Sequence, residues 1–394
     1  MVGTMVAVDA HKTHVFFSPC KIIIGRNTSG LAGEEIQHLG GGKVLIVTDP
    51  GLVRGRLLAP IEASLQSAGV AYAVYDGVQP EPPSEVIDRG AELFRAQGCR
   101  MVLGIGGGSS LDAAKGVSIL ASNPGRILDY VGVERVPRRG APLVLMPTTA
   151  GTGSEVTRVL VVTDEQENVK SVVFSRFALA DAAIVDPMLT LSMPPHVTAD
   201  TGMDALVHAV ETYVSMNATL FSDLYAERAI ELIARWLPVA CGKGSNLEAR
   251  YHMSVAATLA GLAFGSGGLG AVHALAYPLG TEFHMTHGRT NAIMLPHVMR
   301  FNLSGAPRKY ACLAGLMGRH AAGLSDAEAG YRAVEAVKDL LQSIHVSCRI
   351  ADYGIPREEI PKLVQGALKQ TRLFVPNPRD LNEDDVRRIY EEAF

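Results

Sequence analysis

MVLGIGGGSSLDAAKGVSILA (Met101 to Ala121) starts as an apolar strand, passes through consecutive glycines and ends as a helix over Leu111 to Ala121. The same rhythm continues on both sides. VLIV (Val44 to Val47) runs into Thr-Asp-Pro-Gly, and an amphipathic stretch follows over Leu57 to Ala68. VAYAVYDGV (Val70 to Val78) is strand-like and Ser84 to Gln97 helix-like, and LVLMPTTAGTGSE (Leu143 to Glu155) is again a strand entering a turn. Strands alternating with helices predict a parallel sheet covered on both faces. Ligands of such sheets bind beyond the carboxyl ends of the strands, where the turns at Asp49, Gly106 and Thr148 fall.

Beyond about Pro187 the strand signals fade. Helical patterns take over at His196 to Val214, Leu220 to Trp236, Leu247 to Phe264 and Asp326 to Ser343. The expected organisation is therefore an α/β dinucleotide-binding domain over 1–187 with a Rossmann-like parallel sheet, and an all-helical metal-binding domain over 188–394. The cleft between them is the expected active site.

The composition agrees with an enzyme of this kind. The chain has 394 residues, 47% apolar and 19% charged, enough for a large core. Lys and Arg total 36 against 40 Asp and Glu, so no basic excess exists to hold a nucleic-acid backbone. The five scattered cysteines form no CxxC pair, and no apolar run reaches the length of a membrane helix. The N-terminal segment MVGTMVAVDAHKTHVFF lacks the basic start and apolar run of a secretory leader, so the expected compartment is the cytoplasm.

Gly106-Gly107-Gly108-Ser109 lets a backbone approach a ligand closely, and the helix it opens offers free N–H groups to a phosphate. GIGGGS lacks the third glycine of GxGxxG, and Lys115 comes too late for a P-loop. A plain strand-to-helix turn would look the same. Pro147 to Ser154 is a second small-residue loop whose hydroxyls and amides suit a pyrophosphate, or equally water. Asp49 ends its strand where a carboxylate can bind ribose hydroxyls and repel a 2′-phosphate. An Asp that merely starts a turn before Pro50-Gly51 is the alternative.

Asp204 and His208 share one helix face at i,i+4 in TGMDALVHAVE. Four of the twelve histidines, His273, His284, His287 and His297, crowd into GLGAVHALAYPLGTEFHMTHGRTNAIMLPH. One Asp with three His makes a nitrogen/oxygen site for Fe(II) or Zn(II). Buried hydrogen-bonded histidines are the competing reading, and spacing alone does not say which imidazoles point inward.

With these residues in hand, the chain resembles the iron-containing (group III) alcohol dehydrogenases over nearly its whole length. GGGSSLDAAK, PTTAGTGSEVT, ADTGMDALVHAVE and HALAYPLGTEFHMTHGRTNAIMLPH look like that family's successive signature segments, and the terminal PNPRDLNEDDV is similar too. The resemblance implies that Asp204, His208, His273 and His287 bind the metal, Fe(II) ahead of Zn(II), and that His297 is structural. It implies that Gly107, Gly108, Ser109, Thr148, Thr149 and Thr152 hold the NAD phosphates, with Asp49 favouring NAD, and that Lys170 and Leu189 line the ribose and nicotinamide. The implied activity is interconversion of a primary alcohol, diol or functionalised alcohol and its aldehyde, by hydride transfer from a metal-bound alkoxide to NAD. The implied state is a homodimer or larger homo-oligomer, with a small-molecule alcohol or aldehyde as substrate and neither nucleic acid nor membrane as partner.

Two departures qualify the resemblance. Tyr277 stands where many relatives have a second histidine, which leaves the proton-relay residue open, with His284 a conceivable substitute. The small residues of FGSGG (Phe264 to Gly268) and Val159 lead to an expected roomy substrate pocket. A hydroxyacid–oxoacid transhydrogenase that reuses bound NAD is the nearest rival reading, and a catalytically silent nucleotide- and metal-binding protein is a more distant one.

Overall fold

The computed structural model describes residues 13–80, 82–165 and 169–394, so most of the N-terminal segment lies outside the described residues. Two compact units divide the chain: Phe17–Ser192, and Met193–Phe394 with the described residues before Phe17.

Among its described residues the first unit contains nine strands: β1 Lys21–Ile24, β2 Val44–Val47, β3 Tyr72–Tyr75, β4 Met101–Gly106, β5 Gly132–Val133, β6 Leu143–Pro147, β7 Val159–Asp164, β8 Val169–Phe174 and β9 Ala182–Val185. Six of them form one sheet in the order β1-β9-β6-β4-β2-β3, every pair parallel. Its helices are α1 Ala32–His38, α2 Pro50–Arg54, α3 Ala59–Ser67, α4 Ser84–Ala96 and α5 Gly108–Ser122. The strands read as continuous apolar runs because both sheet faces are covered. Alternate residues divide between two cores. Leu45, Val47, Val102, Leu143 and Leu145 join Ile87, Phe94, Leu111 and Val117. Val44, Ile46, Leu103, Ile105, Val144 and Met146 join Ile36, Ile61 and Leu65.

Part of this unit departs from the sequence expectation. β7 and β8 form an antiparallel hairpin, which with β5 makes a separate three-stranded sheet. β1 and β9, four residues each, complete the main sheet. Both are too short to show a period.

The second unit carries α6 Pro195–Val214, α7 Leu220–Gly242, α8 Leu247–Gly267, α9 Ala271–Phe283, α10 His287–Asn302, α11 Pro307–Leu316, α12 Asp326–Ser343, α13 Ile360–Leu368, α14 Thr371–Phe374 and α15 Glu383–Glu392, with no strand among its described residues. α6 packs against α7, α8 and α10. Pro195 starts it, where a missing N–H costs nothing. The buried Arg250 ties it to α8: its Nε donates to the Gly244 carbonyl at 2.8 Å, Nη1 to Thr198 Oγ1 at 2.8 Å and Nη2 to the Met193 carbonyl at 3.1 Å. No single described helix is long and apolar enough to cross a membrane.

Candidate active site

In the first unit the two small-residue loops end neighbouring strands, β4 and β6, and lie side by side. The Thr148 amide donates to the Gly106 carbonyl at 2.9 Å. A Cβ on Gly108 would stand 2.8 Å from Thr152 Cγ2, so glycine lets α5 begin this close to the second loop without displacing the Thr152 side chain. Gly107 is the N-cap of α5 and has no side chain to satisfy the first-turn amides, which suits an anionic ligand.

The second loop is braced from α5. Asp112 Oδ1 accepts from Ser154 Oγ at 2.6 Å and Oδ2 from the Val161 amide at 2.9 Å. Lys115, fully buried, donates to Ser154 Oγ at 2.7 Å and to the Val159 carbonyl at 2.6 Å. Burial pushes the Lys115 pKa down, against the pull of Asp112 and Glu155. Lys115 thus has a scaffolding task, which fits its position too late for a P-loop. Val159 serves it through its carbonyl.

The other nucleotide candidates sit on three further elements of this unit. Asp49 caps α2, its Oδ1 accepting from the amides of Gly51 at 2.8 Å and Leu52 at 3.1 Å. This is the turn-starting role, and it occupies one oxygen of the two. Lys170 lies on β8 opposite Thr163. Leu189 is buried in the core of the main sheet.

In the second unit Asp204 and His208 from α6 meet His273 from α9 and His287 from the first turn of α10. One ligand atom from each lies within 4.8 Å of every other. Asp204 Oδ1 is 3.8 Å from His208 Nε2 and 3.6 Å from His287 Nε2. Asp204, His208 and His273 are buried, whereas the His287 side chain is 34% exposed and marks the open side. The His208 ring stacks on His273, with Phe264 against its other neighbourhood at 4.5 Å between centroids. Burial works against the Asp204 charge, but His208, His287 and His273 with the Asn291 amide outweigh it and hold its pKa below the ordinary value.

Three supporting residues escaped the sequence reading. Glu211 Oε2 is 2.6 Å from His273 Nδ1, and its Oε1 accepts from the Val272 amide at 2.6 Å. A carboxylate only accepts, so the His273 proton is on Nδ1 and Nε2 keeps its lone pair. Asp200 accepts from Thr286 Oγ1 at 2.7 Å and from Arg289 Nε at 2.6 Å, pinning the residues on either side of His287. Asn291 Nδ2 lies 2.8 Å from Asp204 Oδ1 and 3.2 Å from both His273 Nε2 and His287 Nε2. A Cβ on Gly288 would meet the Asp200 carbonyl oxygen at 2.1 Å, so the glycine after His287 is what allows α10 to lie on α6. The signal was available: at ~100° per residue, positions 200, 204, 208 and 211 fall within about 80° of one helix face.

The remaining histidines stand apart. His297 Nε2 bonds the Cys348 carbonyl at 2.8 Å. His284 is exposed, at the left-handed end of α9. Tyr277 stacks on His287 at 5.7 Å and meets His273 edge-on at 6.4 Å. In FGSGG, the carbonyls of Gly267 and Gly268 accept from Ser215 and Thr212 at the end of α6. Those glycines serve packing.

The iron-containing alcohol dehydrogenase model matches residues 19–187, and the C-terminal model of the Fe-containing alcohol dehydrogenase family matches residues 198–394. The chain is 42% identical to long-chain-alcohol dehydrogenase 1 of Geobacillus thermodenitrificans, with 91% of each chain covered. It superposes on the crystal structure of 1,3-propanediol oxidoreductase with a TM-score of 0.95 at 40% identity, covering 97% of this chain and 100% of that one. Sulfoacetaldehyde reductase from Bifidobacterium kashiwanohense in complex with NAD+ gives a TM-score of 0.87 at 29% identity, covering 97% and 99%. The chain belongs to the iron-containing alcohol dehydrogenase family. It is a metal-dependent oxidoreductase that interconverts alcohols and aldehydes.

Proposed function

We propose that the protein is an NAD(H)-linked dehydrogenase of primary alcohols, diols or functionalised alcohols that uses a divalent ion, Fe(II), held by Asp204, His208, His273 and His287. The observation that carries this reading is the gathering of those four ligand atoms, three of them buried. Two ligand atoms each about 2.1 Å from one ion stand at most about 4.2 Å apart. The 3.8 and 3.6 Å separations around Asp204 Oδ1 meet that limit, and the group as a whole, within 4.8 Å, would close slightly around an ion. The donor set of one carboxylate and three imidazoles suits Fe(II) and Zn(II) alike. The bound ion supplies Lewis acidity toward the substrate oxygen, and NAD the hydride acceptor.

The chain's own residues do the rest. Gly107, Gly108 and Ser109 bind the coenzyme phosphates at the start of α5, with Thr148, Thr149 and Thr152 alongside. Lys170 and Leu189 contact the ribose and nicotinamide. Asp49 repels a 2′-phosphate and selects NAD over NADP. Glu211 keeps the His273 proton on Nδ1. Burial raises the Tyr277 pKa, against the pull of the Arg372 guanidinium beside it. Tyr277 therefore holds its proton on Oη at working pH and donates a hydrogen bond at the open side of the group. The protein works in the cytoplasm as a homo-oligomer.

The test is anaerobic purification, elemental analysis and an absorbance assay with NADH over a panel of short aldehydes, hydroxyaldehydes and diols. Asp204→Ala must lose metal and turnover together. An active variant free of metal, or no turnover by the wild type with NADH and Fe(II), rejects the reading. Turnover of a hydroxyacid with an oxoacid while free NADH stays constant would identify a transhydrogenase.

A further inference from the structure

We propose that Asn291 is a reversible member of the metal centre: its amide nitrogen holds Asp204, His273 and His287 together when no cation is bound, and its oxygen turns toward the cation when one is. The inference rests on the reading of the quartet as a metal site.

Asn291 is fully buried on α10, one turn after His287. Its Nδ2 carries two hydrogens but lies against three polar atoms, Asp204 Oδ1 and the Nε2 atoms of His273 and His287, at 2.8, 3.2 and 3.2 Å. Its Oδ1 is buried without a hydrogen-bond partner. One end of the amide is over-subscribed and the other unused, in a side chain with no access to water. Buried polar atoms without partners are rare in proteins and call for a ligand or a second state.

The electrostatics supply that state. A cation claims the lone pairs of His273 Nε2, His287 Nε2 and Asp204 Oδ1, so the amide hydrogens lose their acceptors and face a positive charge. Half a turn about the last side-chain torsion exchanges Nδ2 and Oδ1 with no change of shape. The neighbours need not repack, and the amide dipole is reversed. The oxygen then gains the partner it lacks, and the amide hydrogens give up theirs. The same residue keeps one carboxylate and two imidazoles from drifting apart before metal enters, and adds a neutral oxygen to the donor set afterwards.

The experiment uses the full chain stripped by chelation and titrated with Co(II) alone, read by calorimetry and by the visible bands of the bound cobalt. Wild type is compared with Asn291→Ala and Asn291→Asp, and the melting temperature of each is recorded with and without Co(II). Asn291→Ala loses both roles, so its Co(II) affinity falls by about tenfold or more and its visible bands shift. Asn291→Asp keeps an oxygen and loses the donor. It binds Co(II) at least as tightly as wild type, and its stripped form melts lower because two carboxylates then face each other. Should Asn291→Ala fail to fold when stripped, the aspartate variant alone decides. Wild-type affinity and bands in Asn291→Ala, or a loss in Asn291→Asp as large as that in alanine, overturn the proposal. Failure of wild type to bind Co(II) overturns the metal-centre reading with it, whereas normal binding by wild type together with unaltered binding by Asn291→Ala overturns this inference alone.

Discussion

Glu211 holds His273 at two points: its Oε2 lies 2.6 Å from the ring Nδ1, and its Oε1 accepts from the Val272 amide and, at 3.4 Å, from the amide of His273 itself. The carboxylate fixes the ring's tautomer and the first turn of α9 together. Glu211→Gln keeps the shape but places an N–H where an acceptor is needed. Metal affinity should fall by about 10- to 100-fold, and excess Fe(II) should restore much of the activity. Titration of the stripped protein by calorimetry checks this. Unaltered affinity would reduce Glu211 to a helix cap.

Asp200 braces the opposite end of the site through Thr286 and Arg289. Asp200→Ala leaves the Arg289 guanidinium, partly buried, without its carboxylate. Hydrogen bonds to charged groups contribute about 1.5–3 kcal/mol, so the melting temperature should drop by several degrees. Metal affinity should drop with it, since His287 lies between the two anchored residues. Asp200→Asn, which keeps an acceptor, should recover part of both.

Gly108→Ala tests the nucleotide loop. The new Cβ would stand 2.8 Å from Thr152 Cγ2 and push the two loops apart. Overpacking costs about 1–3 kcal/mol. If that cost falls on the bound state, NADH should bind roughly tenfold more weakly for each 1.4 kcal/mol, with metal content untouched. Fluorescence titration of NADH with elemental analysis separates the two.

His297 gives a pH signature. Burial pushes its pKa below the ordinary value, against the bond to the Cys348 carbonyl. The unfolded chain therefore takes up the proton first as pH falls below about 6.5. Stability is lost on acidification through that window, down to the folded-state pKa, and is fully present above it. The melting temperature of the metal-loaded wild type should fall more between pH 7.5 and 5.5 than that of His297→Gln, which cannot titrate.

The strands around Met101 to Gly106 were legible because a sheet covered on both faces leaves unbroken apolar runs bounded by turns. The β7–β8 hairpin was not: its residues belong to no βαβ repeat. Asp204 and His208 were legible as an i,i+4 pair. Among the four crowded histidines, only the family resemblance separated His273 and His287 from His297. The reason lies in contacts with distant residues, Glu211 for one and the Cys348 carbonyl for another, which no local spacing encodes. Glu211 and Asp200 share the α6 face of Asp204 and His208, but what sets their role is their partners, His273 on α9 and Thr286 and Arg289 at the start of α10, which spacing along α6 does not encode.

That face carries a consequence for metal choice. α6 is a single helix of 20 residues that contributes two of the four ligand residues and the two acids that steady the other two. It is a gauge bar against which α9 and α10 are set. Because α6 is packed against α7, α8 and α10, ions of different radius would be accommodated more readily where His273 and His287 enter their helices. On the proposed ligand set, Gly270, the N-cap of α9, and Thr286, the N-cap of α10, are the positions where changes would shift His273 and His287 relative to α6 without replacing a ligand.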